Sequence, residues 1–540
     1  MLRINQLRLP ITHTQEDMMR KVKKILRENH PVKITIVRRS IDARKKPELF
    51  FNYILNVAVD NEQNVYQKCD KKQVELIHET DYQFPIVNDK ETTRPIIIGM
   101  GPAGIFCGYM LAQAGFKPII LERGNPIEER TADVEKFWKT GELNTESNVQ
   151  FGEGGAGTFS DGKLNTLVKD TYGRNKKVLS IFVESGAPEE IKYDYKPHIG
   201  TDVLRRVIIN MRNQMIQWGG EIRFQSKVTS LVSENNHITG VIVNEQEKIP
   251  SEYVILAPGH SARDTFSVLY ETGIKMEAKP FAIGMRVEHP QQLINRSQYG
   301  TLENKILGIL GNAPYKLTAK SKDQRGVYSF CMCPGGYVVN ASSEPNRLAV
   351  NGMSYSGRNG QNANSAIIVT VTPKDYDGEH PLSGIEFQRR LEEKAFEIGE
   401  GQIPVEKYGI FKKAVEPDLV PKQTESRIPE NFTPCIKGQW QYAPVHEILP
   451  VNLQKAFIEG MEQFGRMIHG FNDANVLIEG LESRTSSPIR ILRDETLQSS
   501  LKGLYPCGEG AGYAGGITSA AMDGIKVAEE VAKAMMNTKL

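Results

Sequence analysis

The chain has 540 residues, of which 39% are hydrophobic and 24% charged, and its formal net charge is +2. This length predicts two to four folded domains, and a net charge of +2 says little about binding partners. There is no run of about eighteen apolar residues that would predict a membrane span, and the first residues lack the apolar stretch of a signal peptide. The six cysteines are scattered and do not suggest a disulfide framework, so we expect a reduced, cytoplasmic protein.

Residues 1–92 are predicted to form a small α/β module of ferredoxin-like type that contributes no essential contact to a cofactor. A helix is expected from Thr14 to about Glu28, with strands at 33–37, 50–59 and 74–77. Residues 1–50 contain 13 Lys or Arg against 5 Asp or Glu. We interpret this basic face as solvated, and binding of nucleic acid or an acidic partner stays open as an alternative.

The segment from residue 94 to residue 122 carries the strongest motif in the chain. A short apolar strand, a Gly-x-Gly-x-x-Gly turn, a helix, a second strand and a terminal acid follow one another. This order is typical of a dinucleotide-binding βαβ unit, whose glycines allow the tight turn, the approach of a pyrophosphate and close helix packing. Glu122 is placed to accept hydrogen bonds from a ribose, which favours FAD or NAD over NADP. The predicted contacts are Gly99, Gly101, Pro102, Ala103, Gly104, Glu122 and Arg123.

A second glycine-rich segment spans residues 150–163. So much glycine disfavours a helix or a strand and predicts a loop whose backbone can approach a ligand closely. An ordinary surface loop is the alternative. The residues predicted to contact a ligand here are Gly154, Gly155, Gly157, Thr158, Ser160 and Lys163.

Two further segments are predicted to return the chain to the nucleotide site. One is an apolar strand that ends in Ala257-Pro-Gly259 and turns sharply towards the cofactor. The other is a strand near residue 505, an acidic glycine-rich turn and a helix from Ile517 to about Ala534, whose N-terminus can stabilise negative charge on a ligand. The predicted contacts in the second segment are Gly508, Glu509, Gly515, Gly516 and Ile517.

These segments predict an α/β fold with a Rossmann-like nucleotide-binding domain that is split in sequence. Its two parts are residues 93–270 and 481–540. Residues 271–480 lack nucleotide motifs and are predicted to form an inserted α+β substrate or cap domain. Within it, residues 354–365 are expected to form a polar loop.

The pairing of Gly-x-Gly-x-x-Gly near residue 100 with Gly508-Glu-Gly510 about 400 residues later resembles flavoproteins with two dinucleotide-binding domains. The segments 152–163, 330–336, 482–490 and 505–524 are similar to bacterial proteins described as NAD(FAD)-utilizing dehydrogenases. The resemblance covers nearly the whole chain and implies noncovalent FAD held between the two motifs. It implies no substrate. Glu509 stands where the broader flavoprotein pattern usually has Asp. NAD(P)H as a transient reductant is possible, although no second nucleotide motif supports it.

Several side chains are weak catalytic candidates. Cys331 and Cys333 would share one face of a strand, where a redox pair beside a flavin would make chemical sense, but we favour packed thiols. Four residues could bind an anionic substrate, with Arg484 the best candidate, although structural ion pairs are the alternative; they are Arg286, His289, Arg484 and Arg490. His260 could face the cofactor, with a solvated loop histidine as the alternative. No metal site is predicted, because further ligands do not cluster near the two cysteines.

Two hypotheses about function follow. In the first, the protein is an FAD-dependent oxidoreductase that acts on a small molecule. In the second, a flavin-bearing protein docks RNA or another macromolecule through residues 1–92. The sequence does not predict the substrate, the electron acceptor or the oligomeric state.

Overall fold

The computed structural model describes residues 1–30, 32–79, 82–85, 93–376, 378, 380–418 and 426–537. The predicted domain boundary at residue 92 therefore lies outside the described residues. None of the described helices is both long and apolar enough to cross a bilayer.

The first 79 residues form an antiparallel sheet with two helices. Thr14 caps the first helix in a capping box with Asp17, as its residue type predicts. The elements are β1 (Leu2–Pro10), α1 (Gln15–Leu26), β2 (Lys33–Lys45), β3 (Glu48–Ala58), α2 (Glu62–Lys68) and β4 (Val74–Leu76). All neighbouring strands run antiparallel in the order β2-β3-β1-β4, so the chain follows a βαββαβ path.

The next part of the chain alternates strands and helices up to residue 271. The bounds are β5 (Ile96–Ile98), α3 (Pro102–Gln113), β6 (Ile119–Leu121), α4 (Ile127–Thr140), α5 (Arg174–Glu184), α6 (Thr201–Gln217), β7 (Glu221–Arg223), β8 (Val228–Glu234), β9 (His237–Val243), β10 (Glu247–Pro250), β11 (Val254–Leu256) and α7 (Arg263–Glu271). After a long intervening segment, β24 (Leu504–Pro506) and α13 (Ile517–Asn537) complete the chain as described.

The intervening segment contains the described strands and helices that have not yet been named, β12 to β23 and α8 to α12. Its elements are β12 (Met276–Ala278), β13 (Phe281–Pro290), α8 (Gln291–Tyr299), α9 (Asn304–Leu310), β14 (Thr318–Lys320), β15 (Gly326–Cys333), β16 (Tyr337–Asn340), β17 (Val350–Met353), β18 (Asn362–Val371), α10 (Ser383–Ile398), β19 (Ile403–Lys407), α11 (Tyr408–Val415), β20 (Ile436–Lys437), β21 (Trp440–Tyr442), α12 (Val451–Met467), β22 (Leu477–Glu482) and β23 (Ile489–Ile491).

A five-stranded parallel sheet in the order β24-β11-β5-β6-β7 is the centre of the nucleotide-binding part. β5, β6, β11 and β24 are buried along their whole length, which explains why they read as continuous apolar runs without alternation. α3 lies close on the sheet because Gly108 has no side chain, and a Cβ there would lie 2.6 Å from Ile120 Cδ1. The sheet thus takes strands from two parts of the chain that the cap segment separates.

The cap segment is built on a seven-stranded sheet in the order β14-β15-β18-β13-β22-β19-β21. β13 is buried over nine of its ten residues, so it forms the middle of this sheet. β12 and β23 pair antiparallel where the chain leaves and re-enters the nucleotide-binding part. The predicted domain boundary at residue 480 falls inside β22, and the last four residues of the expected polar loop, 362–365, belong to β18 instead.

Candidate functional site

A cavity of about 890 Å³ opens at the carboxyl ends of the parallel strands. Residues that directly follow four of those strands line it, namely Gly99, Glu122, Ala257 and Cys507. This edge of an open α/β sheet is where such folds bind ligands, and the volume is that of a small-molecule site. The cavity continues past the glycine loops to residues of β15 and β22 in the cap.

The first glycine loop is shaped by two glycines and left open by the third. Gly99 has φ +96°, and a Cβ there would overlap the carbonyl oxygen of Ala257. A Cβ on Gly104 would likewise overlap the carbonyl oxygen of Gly99, so Gly104 lies behind the cavity. A Cβ on Gly101 would meet only Gly155 Cα, at 3.9 Å, and would otherwise point into open space. α3 begins beside it at Pro102 without a side-chain cap, which leaves its first N–H groups free for an anion.

Glu122 joins the two glycine loops. Its carboxylate accepts hydrogen bonds from the backbone N–H groups of Met100 at 2.8 Å, Gly124 at 3.0 Å and Gly152 at 2.9 Å. A carboxylate has about four acceptor positions, so one remains for the ribose hydroxyl that the sequence predicts. Arg123 also lines the cavity, but its guanidinium is already paired with Glu146 at 2.6 Å and Asp264 at 2.9 Å.

The second glycine loop lies directly on the first. Gly155 has φ +61°, and a Cβ there would lie 2.8 Å from Gly101 Cα. Gly155, Gly157, Ser160 and Lys163 all line the cavity. Gly154 and Thr158 do not. They pack against each other, and Thr158 Oγ1 donates to the carbonyl of Glu153 at 3.3 Å, so these two residues shape the loop and do not form its ligand surface.

Arg130 on α4 holds this second loop and was not expected from the sequence. Its guanidinium is fully buried and donates to five loop carbonyl groups, those of Asn148, Val149, Gly152, Glu153 and Gly155. Burial lowers the pKa of Arg130 to about 9. The available signal was an arginine on the apolar face of an amphipathic helix, next to a glycine-rich segment that needs donors.

The C-terminal motif supplies the third wall. A Cβ on Gly515 or Gly516 would meet nothing within 4 Å, and both residues line the cavity with Ile517, the first residue of α13. Gly508 lies behind the wall, where a Cβ would be 2.5 Å from Ala103 Cβ. The N-terminus of α13 therefore reaches the same cavity as the N-terminus of α3.

Two predicted residues form a pair at the cavity wall. His260 Nδ1 is hydrogen-bonded to Glu509 Oε2, and Glu509 Oε1 accepts from the backbone N–H of Ser487 at 2.9 Å. His260 Nε2 is buried and has no hydrogen-bond partner among the described residues. Gly259, with φ +72°, makes the turn that brings His260 to this wall, where both residues line the cavity.

Arg484 lines the cavity but is held by carboxylates within the protein. Its guanidinium donates to both oxygens of Glu392, at 3.1 and 2.9 Å, and Glu392 also pairs with Arg263 at 2.7 Å. These two arginines drive the pKa of Glu392 far below its ordinary value despite its burial. Arg484 is therefore fixed in place at the wall, and most of its charge is already matched.

Three catalytic candidates do not reach the cavity. His289 is fully buried in the cap, where Nε2 contacts the carbonyl of Phe471 at 2.9 Å and burial lowers its pKa to about 4. Arg286 is also fully buried and pairs with Glu482 at 2.6 Å. Cys333 is buried, its Sγ donates to the carbonyl of Cys331, and burial raises its pKa to about 12. Their place in the interior of the cap excludes direct contact with a ligand in the cavity.

Cys331 is the one of the two cysteines that lines the cavity. The register of β15 shifts between Phe330 and Cys333, and Cys331 has φ +43°, a conformation that non-glycine residues rarely adopt. The regular strand that would place both thiols on one face is therefore interrupted. All six cysteines are free thiols. Among the described residues there is no group of three or more His, Cys, Asp or Glu side chains suited to a metal ion.

The N-terminal module lines part of the cavity, and that it makes no essential contact with the cofactor stays a prediction. The backbone of Arg39 exchanges hydrogen bonds with Tyr193 and Tyr195 at 2.7 and 2.9 Å, and its side chain pairs with Asp194. Because this contact lays β2 against the nucleotide-binding part, Val37, Arg38 and Ile54 line the cavity. No sequence pattern indicated this contact.

Comparison with known proteins places the chain in a family. It is 44% identical over 545 residues to an uncharacterized protein of Clostridium beijerinckii, and the match covers 98% of both chains. The chain belongs to the family of that protein. Residues 280–485 match the family model described as FAD-dependent protein, C-terminal domain-like, and residues 1–58 match one described as Domain of unknown function (DUF8436).

Solved structures give weaker matches. Quinol fumarate reductase of E. coli is 12% identical with a TM-score of 0.36, covering 83% of this chain and 71% of its own. L-proline dehydrogenase from P. horikoshii is 13% identical with a TM-score of 0.34, covering 82% and 94%. Glycerol-3-phosphate dehydrogenase from Bacillus halodurans, solved with FAD, is 12% identical with a TM-score of 0.34, covering 83% and 65%. Scores this low do not establish a shared fold.

The family match and the cavity agree on the cofactor, which is FAD. The site fits it, because the positions where a Cβ would fill the cavity are glycines in both dinucleotide motifs and the N-termini of α3 and α13 both line the cavity. The chain is thus an FAD-dependent flavoprotein.

Proposed function

We propose that this protein is an FAD-dependent oxidoreductase that acts on a small molecule bound in the cap part of the cavity. The observation that carries the proposal is the convergence of three segments on one cavity. The two glycine loops and the N-terminus of α13 line it, and it extends to Cys331 and Arg484 on the cap side. A site that held the cofactor alone would not need this extension into another part of the chain.

When bound, FAD would supply the hydride or electron chemistry, and the chain's own residues would bind, orient and stabilise. Gly101 and the first turn of α3 would hold the pyrophosphate, and Glu122 the adenosine ribose. The N-terminus of α13 would favour negative charge on the flavin ring. Glu509 would fix the orientation of the His260 ring at the wall of the cavity. Binding without a covalent link is part of the proposal.

The alternative function, docking of RNA or a protein through the basic N-terminal module, receives no support from the comparisons. Part of the module's positive charge is already used within the chain, since Arg39 pairs with Asp194 and Arg38 lies over the ring of Tyr195, 4.2 Å from its centroid. A transient nicotinamide remains a possible reductant. Within the described residues, two Gly-x-Gly-x-x-Gly turns lie between a strand and a helix, at Gly99 to Gly104 and at Gly510 to Gly515, and both contribute residues to the same cavity.

The proposal is tested by anaerobic photometric screening of the purified protein. Candidate reductants and substrates, with NADH and NADPH among them, are added one at a time while the flavin absorbance is followed. We expect at least one small molecule to bleach the flavin and an acceptor to restore it. A flavin that is bleached by dithionite but by no metabolite, nicotinamide or thiol in the screen would contradict an oxidoreductase role.

A further inference from the structure

Four cationic side chains line the cavity where the end of the second glycine loop meets the cap. They come from four separate segments of the chain, and two of them are paired with the carboxylate of Asp161. The cations are Lys163, Lys196, Lys316 and Arg358. The name anion subsite is used below for the space between them.

The backbone holds this cluster next to the cofactor site. The N–H of Leu164 donates to the carbonyl of Pro197 at 3.0 Å, and Lys163 forms a β-bridge with His198, so the segments that carry Lys163 and Lys196 lie side by side. Thr518, in the first turn of α13, donates to the carbonyl of Leu164 at 2.8 Å. The cluster therefore lies beside the helix N-terminus that lines the flavin part of the cavity.

The positive charges exceed the negative charges available to neutralise them. Asp161 is paired with both Lys163, at 3.1 Å, and Arg358. Glu482, another carboxylate that lines this part of the cavity, is paired with Arg286 at 2.6 Å. Lys196 and Lys316 make no ion pair and no side-chain hydrogen bond within the part of the chain that the structure describes. Two positive charges thus face the cavity without a partner.

Partial desolvation and the neighbouring positive charges act on the pKa of Lys196. Its side chain is exposed at the cavity, and its pKa is lowered by partial desolvation, with the charges of Arg358, Lys163 and Lys316 acting in the same direction. The Nζ of Lys163 is itself buried and donates no hydrogen bond within the described part of the chain, although it lies 3.1 Å from the Asp161 carboxylate. Like charges held together at the wall of a cavity are unfavourable for folding, and an incoming anion would relieve them.

We propose that the substrate of this protein carries an anionic group, a carboxylate or a phosphate, and that this group binds in the anion subsite between Lys196 and Lys316. The inference rests on the proposed function, since it names the substrate class of the same cavity. The phosphates of FAD belong to the other end, where the N-terminus of α3 and the open side of Gly101 receive them. The anion subsite is left for a second ligand.

Arg484 and Arg286, the arginines that the sequence suggested for this role, are less suited to it. The first is paired with Glu392 and the second is buried behind Glu482. Lysines on loops, with no carboxylate of their own, can instead meet the ligand with their full charge.

The test uses the FAD-saturated full chain, titrated with inorganic phosphate and with malonate as a simple dicarboxylate. Total ionic strength is held constant with sodium chloride, and binding is followed by the change in flavin absorbance. The double variant Lys196→Met and Lys316→Met removes the unpaired charges while keeping the length of the side chains. Lys322→Met is the matched control, because Lys322 is 89% exposed and does not line the cavity.

We expect a saturable spectral change with phosphate or malonate in the wild type and in the control. In the double variant the affinity should fall about tenfold or more, because two charge-assisted contacts are lost. The anion subsite is refuted if neither probe saturates the wild type, or if the double variant binds as tightly as the control. FAD content and the bleaching screen are measured on the same samples. A protein that is bleached by a neutral substrate but ignores both anions would overturn only the subsite, whereas one that no substrate bleaches would overturn the oxidoreductase proposal.

Discussion

Replacing Glu122 by Gln should weaken FAD binding by about a hundredfold while leaving most of the fold intact. The carboxylate is 5% exposed and accepts three backbone N–H groups, two on Oε1 and one on Oε2. These contacts join the first glycine loop, through Met100, to the second, through Gly152. The carboxamide has one oxygen, so in either orientation at least one N–H would face an NH2 group.

The magnitude follows from the lost contacts. A hydrogen bond to a charged group contributes about 1.5–3 kcal/mol, and a buried donor left without an acceptor costs a similar amount. Loss of one such contact and weakening of the others gives about 3 kcal/mol. If the two loops must be ordered together to hold FAD, this energy appears in the dissociation constant, at about tenfold for each 1.4 kcal/mol.

The assay is reconstitution of the apoprotein with FAD, followed by quenching of flavin fluorescence. Glu142→Gln is the matched control, because this carboxylate precedes the second loop and its side chain is 69% exposed. Circular dichroism of each apoprotein reports whether the fold survives. An FAD dissociation constant for Glu122→Gln within about threefold of the control would refute the role assigned to this carboxylate.

Three further predictions concern other parts of the chain. Burial raises the pKa of Glu288 to about 7 from its ordinary 4.5 and also raises the pKa of the neighbouring Glu479, so this pair takes up protons on folding. The stability that this contributes is complete below pH 4.5 and is lost as the pH rises through 7. Glu288→Gln should therefore reduce the loss of unfolding free energy between pH 5 and pH 8, measured by urea denaturation. Each proton accounts for about 1.4 kcal/mol per pH unit, and an unchanged loss would contradict the prediction. Arg39→Ala keeps the backbone hydrogen bond from Tyr195 but removes the ion pair with Asp194 that supports the docking of the N-terminal module, so hydrogen exchange at the amide of Tyr195 should speed about tenfold. Unchanged exchange would show that the docking is independent of the Arg39 side chain. Cys331→Ser should leave FAD binding and photoreduction unchanged, whereas loss of a thiolate–flavin charge-transfer band would restore the redox interpretation of the cysteines.

The nucleotide-binding part could be predicted from the sequence because its signals are local. β5, the turn at Gly99 and α3 follow one another within twenty residues. A Cβ at Gly99 or Gly104 would overlap a backbone carbonyl oxygen, so the structure explains why glycine is needed at both positions. The helix after Thr14 could be predicted for the same reason, since the capping box lies within four residues. The carboxylate of Glu122 lines the cavity, and its bonds to the second loop add a function that spacing alone does not indicate.

The cap end of the cavity could not be predicted, because it depends on contacts between distant parts of the chain. Lys196 and Lys316 are 120 residues apart and belong to no motif, and only the folded chain brings both to one wall. For His289 the sequence predicted a ligand contact that the structure does not show. Its residue type suggested a ligand contact, but β13 is buried almost throughout, so its side chain is packed against Phe471. Residue type indicates what chemistry a side chain can do, whereas burial decides whether it meets a ligand.

The most direct test of the account is the FAD content of wild-type and Gly101→Val protein. A Cβ at Gly101 meets no protein atom closer than 3.9 Å, so valine should disturb the apoprotein little and fill the space that the pyrophosphate needs. After acid precipitation, mass spectrometry should find about one FAD per chain in the supernatant of the wild type and almost none for the variant, with similar circular dichroism for both. Equal FAD release from the two proteins, or a chromophore that stays in the wild-type pellet, would contradict noncovalent FAD held at this loop.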